Sequence, residues 1–280
     1  MQTRQLGDVR VGAIGLGGMP MSIAGRPDRD RAIATIRAAV DAGVTLIDTA
    51  DAYSLDETDF GHNEELIAEA TRGADVLIAT KGGHTRTPGG GWGLDGRPEY
   101  LRRACDASLR RLGVERIDLY QFHRPDPAVP VAESVGALAE LLDEGKIRMA
   151  GVSNFDPDEI RMAHKILGGR LAAVQNQYSP TFQSSAPELE LCDELGVAFL
   201  PWSPLGGISS AGALGGAFAA VGAELGVSPQ RVCLAWMLAK SPVVIPIPGA
   251  SRPESITDSA AAATVELTPA HIATLNAAVA

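Results

Sequence analysis

Ile117-Asp118-Leu119-Tyr120-Gln121-Phe122-His123 is an apolar, β-rich run that ends on a histidine. An amphipathic stretch, Pro98 to Leu112, precedes it and a second, Val131 to Glu144, follows. A near-continuous apolar strand between two helical patterns is the unit of a parallel sheet covered on both faces. The same unit recurs in both directions. Strands are expected at Val11 to Leu16, Val44 to Ile47, Val76 to Thr80, Ile147 to Val152, Ala172 to Gln175, Val197 to Trp202 and Val243 to Ile247. Helices are expected at Asp30 to Ala42, Asp156 to Ile166, Ala186 to Leu195 and Ser228 to Ala239, several opened by Asp, Ser or Pro as helix starts require. About eight such units in some 250 residues close a (β/α)8 TIM barrel, an α/β fold; an open doubly wound sheet is the alternative. Leu6-Gly7-Asp8-Val9 reads as the turn of a short N-terminal β-hairpin, and Leu267 to Ala280 as a C-terminal helix outside the repeat. The expectation is one barrel domain over residues 1–280.

Composition narrows the function. The chain has 24 Lys and Arg against 34 Asp and Glu, a formal charge of -10, the wrong sign for a general binder of nucleic acid or anionic membrane. A local basic pocket for a phosphate stays open. Cys105, Cys192 and Cys233 are far apart in helical stretches and read as buried, reduced thiols, with no disulfide framework and no metal site. The N-terminus lacks an apolar signal region, and the Gly- and Ala-rich run Ala211 to Ala223 is shorter than the roughly 20 residues a membrane span needs. A soluble, cytoplasmic protein is expected. Gly89-Gly90-Gly91 reads as a flexible loop.

In a barrel of this kind the reactive groups sit where strands end. The strand ends carry Asp48, Lys81, His123, Asn154, Gln175 and Trp202, polar groups of different chemistry on one rim. Gly15-Leu16-Gly17-Gly18 is a poor dinucleotide fingerprint, because Pro20 stands where the third glycine belongs, so a tight turn is preferred. Asp48 and Tyr53 follow the second barrel strand, Lys81 the third and His123 the fourth. An ammonium beside a phenol favours the phenolate, so Lys81 is expected to draw the Tyr53 pKa down from about 10 and ready it as a proton donor. Lys81 then needs Asp48 as counter-ion, since an unpaired buried ammonium is costly. A neutral His123 can hydrogen-bond a carbonyl oxygen. Singly, each has a duller explanation as cap, surface aromatic, solvated charge or satisfied imidazole; together they make one proton-donating site. His62, His84, His164 and His271 read as ordinary polar residues.

With these residues in place, the chain resembles the aldo-keto reductases along essentially its whole length. The marks are Asp48-Thr49-Ala50 with Tyr53, Thr80-Lys81, His123, Gly151-Val152-Ser153-Asn154-Phe155, Val174-Gln175-Asn176-Gln177-Tyr178, Ser203-Pro204-Leu205-Gly206 and Ile247-Pro248-Gly249-Ala250-Ser251. The resemblance implies Asp48, Tyr53, Lys81 and His123 as catalytic tetrad, with Tyr53 the general acid and NADPH the hydride source. It implies that Ser153, Asn154 and Gln175 hold the carboxamide and that Trp202, where the family commonly has Tyr, stacks on the nicotinamide. Gly17, Ser203, Leu205, Gly249, Ser251, Arg252 and Asp258 complete the implied cofactor contacts, with Ser251 and Arg252 on the 2'-phosphate. Many members carry a cation near Ser255 and a Glu-Asn pair where this chain has Asp258 and Ser259, so fewer partners support NADPH over NADH. A second departure is Ser54 to Phe60, where a Gly usually follows the tyrosine; the familiar pattern resumes at Gly61, Asn63 and Glu64.

The implied activity is reduction of a small-molecule aldehyde or ketone. Two other readings share these residues: a cofactor-binding redox sensor on the same barrel, and a lyase using Lys81 as Schiff-base nucleophile. Trp92, Phe155 and Phe182 are the apolar walls available to a substrate, whose identity the sequence leaves open along with the oligomeric state.

Overall fold

The computed structural model describes residues 2–207 and 215–279. An antiparallel hairpin, β1 (Thr3–Leu6) and β2 (Val9–Gly12), opens the chain, with Leu6 opposite Val9 across the Gly7-Asp8 turn. Gly7 adopts φ +53°, and a Cβ there would come within 2.6 Å of Met149 Sδ, so the turn is seated against the barrel end. The expected strand from Val11 to Leu16 is in fact divided: Val11 and Gly12 belong to the hairpin, and only Leu16 and Gly17 (β3) enter the barrel.

Seven parallel strands follow one another around the barrel. They are β3, β4 (Leu46–Asp48), β5 (Leu77–Gly82), β8 (Ile117–Phe122), β9 (Ile147–Ser153), β10 (Leu171–Gln175) and β11 (Ala198–Phe199), each bonded to the next. The eighth stave is the expected segment Val243 to Ile247, continued to Gly249. Its odd residues bond to the β11 side, with Ile245 N–H donating to Phe199 O at 2.9 Å and Ile247 N–H to Pro201 O at 3.2 Å. Its even residues face β3, where Gly15 and Gly17 donate to Pro246 O at 2.9 Å and to Pro248 O at 3.0 Å. Proline has no N–H to return, so the ring closes through a one-way seam and this stave never forms a regular ladder.

Helices α1 (Arg29–Asp41), α2 (His62–Ala70), α3 (Pro98–Leu112), α4 (Val131–Asp143), α5 (Pro157–Ile166), α6 (Ala186–Leu195), α7 (Gly216–Leu225), α8 (Pro229–Leu238), α9 (Pro253–Ala260) and α10 (Pro269–Ala277) surround the strands. Capping is local and strong at several starts: the side chains of Asp28, Asp156, Ser228 and Thr268 each accept a backbone N–H of the first turn. Of the run Ala211 to Ala223, residues 211–214 lie outside the described residues and 216–223 fall within α7. The barrel interior is filled by Leu6, Leu46, Leu77, Leu119, Met149, Leu200, Ile245 and their neighbours. Cys105, Cys192 and Cys233 are free and buried on α3, α6 and α8, and burial pushes the first two thiols up to about 12. Gly89 to Gly91 are not a free loop. They turn a second small hairpin, β6 (His84–Arg86) with β7 (Trp92–Leu94), that stands over the C-terminal mouth. Among the described residues no helix is long and apolar enough to cross a membrane, and no cluster of His, Cys, Asp or Glu is arranged to hold a metal.

Candidate active site

Asp48 is the last residue of β4, where its carboxylate meets the ammonium of Lys81 near the end of β5. Lys81 is wholly buried. Its Nζ donates to Asp48 Oδ2 at 2.7 Å, Thr49 O at 2.9 Å and Tyr53 Oη at 3.1 Å. An ammonium has three protons, and all three are used. Burial works to lower the Lys81 pKa, but Asp48 and Tyr53 together overcome it and hold the group above its ordinary value, as an ammonium. Asp48 Oδ1 accepts from Gln175 Nε2 at 2.7 Å, so the carboxylate is satisfied on both oxygens.

Tyr53 reaches this cluster because the chain turns back after β4, with Tyr53 N–H donating to Ala50 O. Lys81 Nζ lies 4.9 Å from its ring centroid. The expectation that Lys81 draws the Tyr53 phenol down is corrected by the structure. Burial raises the pKa by more than Lys81 lowers it, and Asp48 adds to the rise, so the net shift is upward. The phenol keeps its proton at neutral pH, as a donor must. His123, directly after β8, stands edge-on to Tyr53 at 5.6 Å. Burial, with the charges of Lys81 and Arg124 and the His84 ring, depresses its pKa well below the usual imidazole range, so it is neutral.

One cleft contains these groups. Asp48, Tyr53, His123, Gly17, Ser153, Asn154, Gln175, Trp202, Ser203, Leu205, Gly249 and Trp92 all line it. Two non-glycine residues with positive φ, Asn154 (60°) and Ser203 (49°), are both in this lining, the backbone strain that collects at functional sites. Asn154 spends its Nδ2 on His123 O and Ser153 Oγ, and its Oδ1 makes no hydrogen bond among the described residues. Trp202 Nε1 is buried without a partner. A Cβ on Gly17 would sit 2.8 Å from Ile247 O, and one on Gly249 2.8 Å from Pro20 Cγ, so glycine keeps that end of the cleft open. A flat amide-bearing ring along Trp202, with phosphates toward Ser203 and Gly249, is compatible with these free groups.

Other expected residues fall elsewhere. Phe155 is no wall of the cleft: the turn at Asn154 sends it inward, 1% exposed, edge-on to Phe122 at 5.9 Å. Phe182 sits in the turn closed by Ser179 and is not among the lining residues. Ser251 and Arg252 lie beyond the cleft, with Arg252 the exposed N-cap of α9. Asp258 is engaged by Arg231 at 2.6 Å and by Ser228, which ties α9 to α8. The departure at 54–60 does not line the cleft either. Asp59 pairs with Arg26, and Leu55 O accepts from Arg86, so the segment braces the β6–β7 hairpin. His84, expected to be an ordinary polar residue, instead packs edge-on against His123 at 4.3 Å and Trp92 at 5.4 Å, and lines the cleft with Arg124. A lone histidine after Gly82-Gly83 carries no signal that could have placed it there.

With the geometry established, known proteins resolve the ancestry. Residues 13–280 match the model of the aldo/keto reductase family. The chain belongs to that family. An uncharacterised oxidoreductase of Schizosaccharomyces pombe is 35% identical, over 98% of this chain and 89% of its own. The 6-dehydroglucose reductase of Novosphingobium aromaticivorans is also 35% identical, over 92% and 89%. Among solved structures, an aldo/keto reductase from Klebsiella pneumoniae in complex with NADP and acetate superposes with TM-score 0.82 at 28% identity, covering 98% and 94%. The glycerol dehydrogenase of Gluconobacter oxydans gives 0.84 at 26%, covering 99% and 94%. This aldo/keto reductase is therefore an oxidoreductase on a TIM barrel.

Proposed function

We propose that the protein reduces an aldehyde or ketone to the alcohol with NADPH, and that Tyr53 gives the proton. The observation that carries the reading is the saturation of Lys81. Because Lys81 Nζ donates to Tyr53 Oη, the phenolic hydrogen is not spent on the lysine and is free for an acceptor in the cleft. NADPH, when bound, supplies a hydride to the carbonyl carbon. The protein supplies the rest. Tyr53 transfers its proton to the carbonyl oxygen, and the phenolate that forms lies 3.1 Å from an ammonium already in place, which is electrostatic preorganisation. Neutral His123, whose Nδ1 is buried without a hydrogen-bond partner among the described residues, orients the same oxygen. Asn154 Oδ1 and Gln175 hold the carboxamide, and Trp202 and Leu205 wall the ring.

The same saturation speaks against Lys81 as a Schiff-base nucleophile, since amine attack needs a lone pair and a buried ammonium with three acceptors has none. Arg252, exposed at the start of α9 and free of ion pairs among the described residues, is the cation proposed for the 2'-phosphate, with Ser251 beside it and NADPH preferred over NADH. Asp258 serves this end of the site indirectly, by fixing α9 through Arg231.

Tyr53→Phe is the decisive variant. Turnover with an aldehyde should fall about 10²–10⁴-fold, the worth of a positioned general acid, while NADPH affinity by fluorescence titration stays at the parent value. Turnover near the parent's would remove Tyr53 from the mechanism. A parent that binds NADPH and consumes none with any aldehyde would favour the sensor.

A further inference from the structure

We propose that Arg124 makes this cleft selective for carbonyl substrates that carry an anionic group, a carboxylate or a phosphate. The inference rests on the reductase reading above and adds the substrate class. Asp48 and Arg124 are the only lining residues, among those described, with a full side-chain charge. Asp48 is neutralised by Lys81 at 2.7 Å and further bonded to Gln175, whereas Arg124 is exposed and makes no hydrogen bond or ion pair among the described residues. Its acidic neighbour in sequence, Asp126, is occupied by the backbone N–H groups of Gly96 and Ala128 at 2.9 Å each. The cleft therefore presents one uncompensated cation.

Its place assigns that cation to the substrate and not to the phosphates of a dinucleotide. In the ring order β3, β4, β5, β8, β9, β10, β11 and 243–249, β8 lies across the barrel from the seam where Gly17 meets Gly249. Arg124 follows β8 directly after His123, on the side walled by His84 and Trp92. The two rings wall this side, edge-on to each other at 5.4 Å. A guanidinium in the same lining matches carboxylate and phosphate geometry bidentately. The formal charge of -10 sharpens the need: the protein as a whole repels an anion, and a local cation at the mouth reverses that field where the substrate enters.

The test compares kcat/KM for 4-carboxybenzaldehyde and 4-formylphenyl phosphate with that for methyl 4-formylbenzoate, a neutral aldehyde of similar shape. The parent should favour at least one anion, and Arg124→Met should cut that preference about tenfold while leaving the neutral ester unchanged, the low end expected for a charge-assisted contact at an exposed site. Arg124→Lys should retain part of it, and added salt should erode it in the parent, since an exposed charge is screened within about 10 Å at 0.1 M ionic strength. A change in loop structure alone would lower all three substrates together. Which anion gains more separates the carboxylate from the phosphate source. A parent that prefers the neutral ester, or an Arg124→Met preference equal to the parent's, overturns the proposal. Absence of turnover with every aldehyde would instead overturn the reductase reading itself.

Discussion

Asp51→Asn is expected to make the protein more stable at neutral pH, by an amount that grows with pH. Asp51 is wholly buried between β4 and α2, and neither carboxyl oxygen makes a hydrogen bond of standard geometry. Burial and the neighbouring Glu64 carboxylate push its pKa well above the usual value. Arg111, the Ala52 amide and Lys81 pull the other way without balancing them. Glu64 is itself fastened to Thr80 Oγ1 at 2.5 Å and Arg111 Nε at 2.6 Å, so it is not available to rearrange. The unfolded chain releases the Asp51 proton near pH 3.9, whereas the folded chain holds it to higher pH. Between those two pKa values the native state binds more protons than the unfolded state, so stability falls as pH rises, by about 1.4 kcal/mol per pH unit. Asparagine has the same shape and cannot ionise, and so escapes this loss. Urea midpoints for parent and variant at pH 4, 5, 6 and 7 provide the assay. The two curves should meet near pH 4 and separate upward from there, with the variant ahead. A gap that does not vary with pH, or a parent more stable at pH 7, would show that Asp51 is ionised in the fold and stabilised by Arg111.

Two further outcomes follow from the cofactor loop and the glycine floor. Arg252→Ala should weaken NADPH by about one order of magnitude, as expected for loss of a charge-assisted contact, and leave NADH affinity unchanged; equal losses for the two cofactors would remove Arg252 from the phosphate. Gly18→Ala should destabilise the fold by about 1–3 kcal/mol in a urea titration, because its Cβ would lie 2.5 Å from Asn63 Oδ1 and 2.9 Å from Asp48 O. A variant as stable as the parent would mean that Asn63, which also bonds Thr49, Ser22 and Gly18 O, moves freely.

What the sequence conveyed, and what it hid, divide along physical lines. The apolar runs at 117–122 and 147–152 and the proline-opened helix at 98–112 carry their periodicity openly and appear in the structure within a residue. Helix α2 carries no clear sequence signal, because it follows the irregular segment 54–60 and buries polar Asn63 and Glu64, which no hydrophobic pattern marks. Helix α7 is rich in Gly and Ala and offers little contrast between its faces. That Asp48, Lys81 and His123 share one rim was legible because each stands at or next to the end of a strand, whereas Tyr53 joins them through the turn after β4. Phe155 was misplaced because one left-handed residue, Asn154, reverses the direction of the next side chain, and sequence spacing cannot register a φ of 60°. Asp258 owes its partner to Arg231, a helix away, and the upward shift of Tyr53 to the depth of its burial; both are properties of the assembled chain.

The one-way seam has a consequence for how the molecule comes into being. The first stave, β3, pairs on its outer side with Pro246 and Pro248, which are made only after the six other strands, so until they emerge the sheet has two raw edges. An emerging chain in that condition is exposed to adding strands from its neighbours. Pro246 and Pro248 sit on the edge of the last stave that faces β3 and strip it of donors there. At these two positions a foreign strand finds only acceptors, while Gly15, just before β3, and Gly17 within it supply the two N–H groups that fit them. The same prolines that leave the finished barrel with an irregular eighth stave thus make that stave, until it docks, a poor template for any partner but the chain's own first stave.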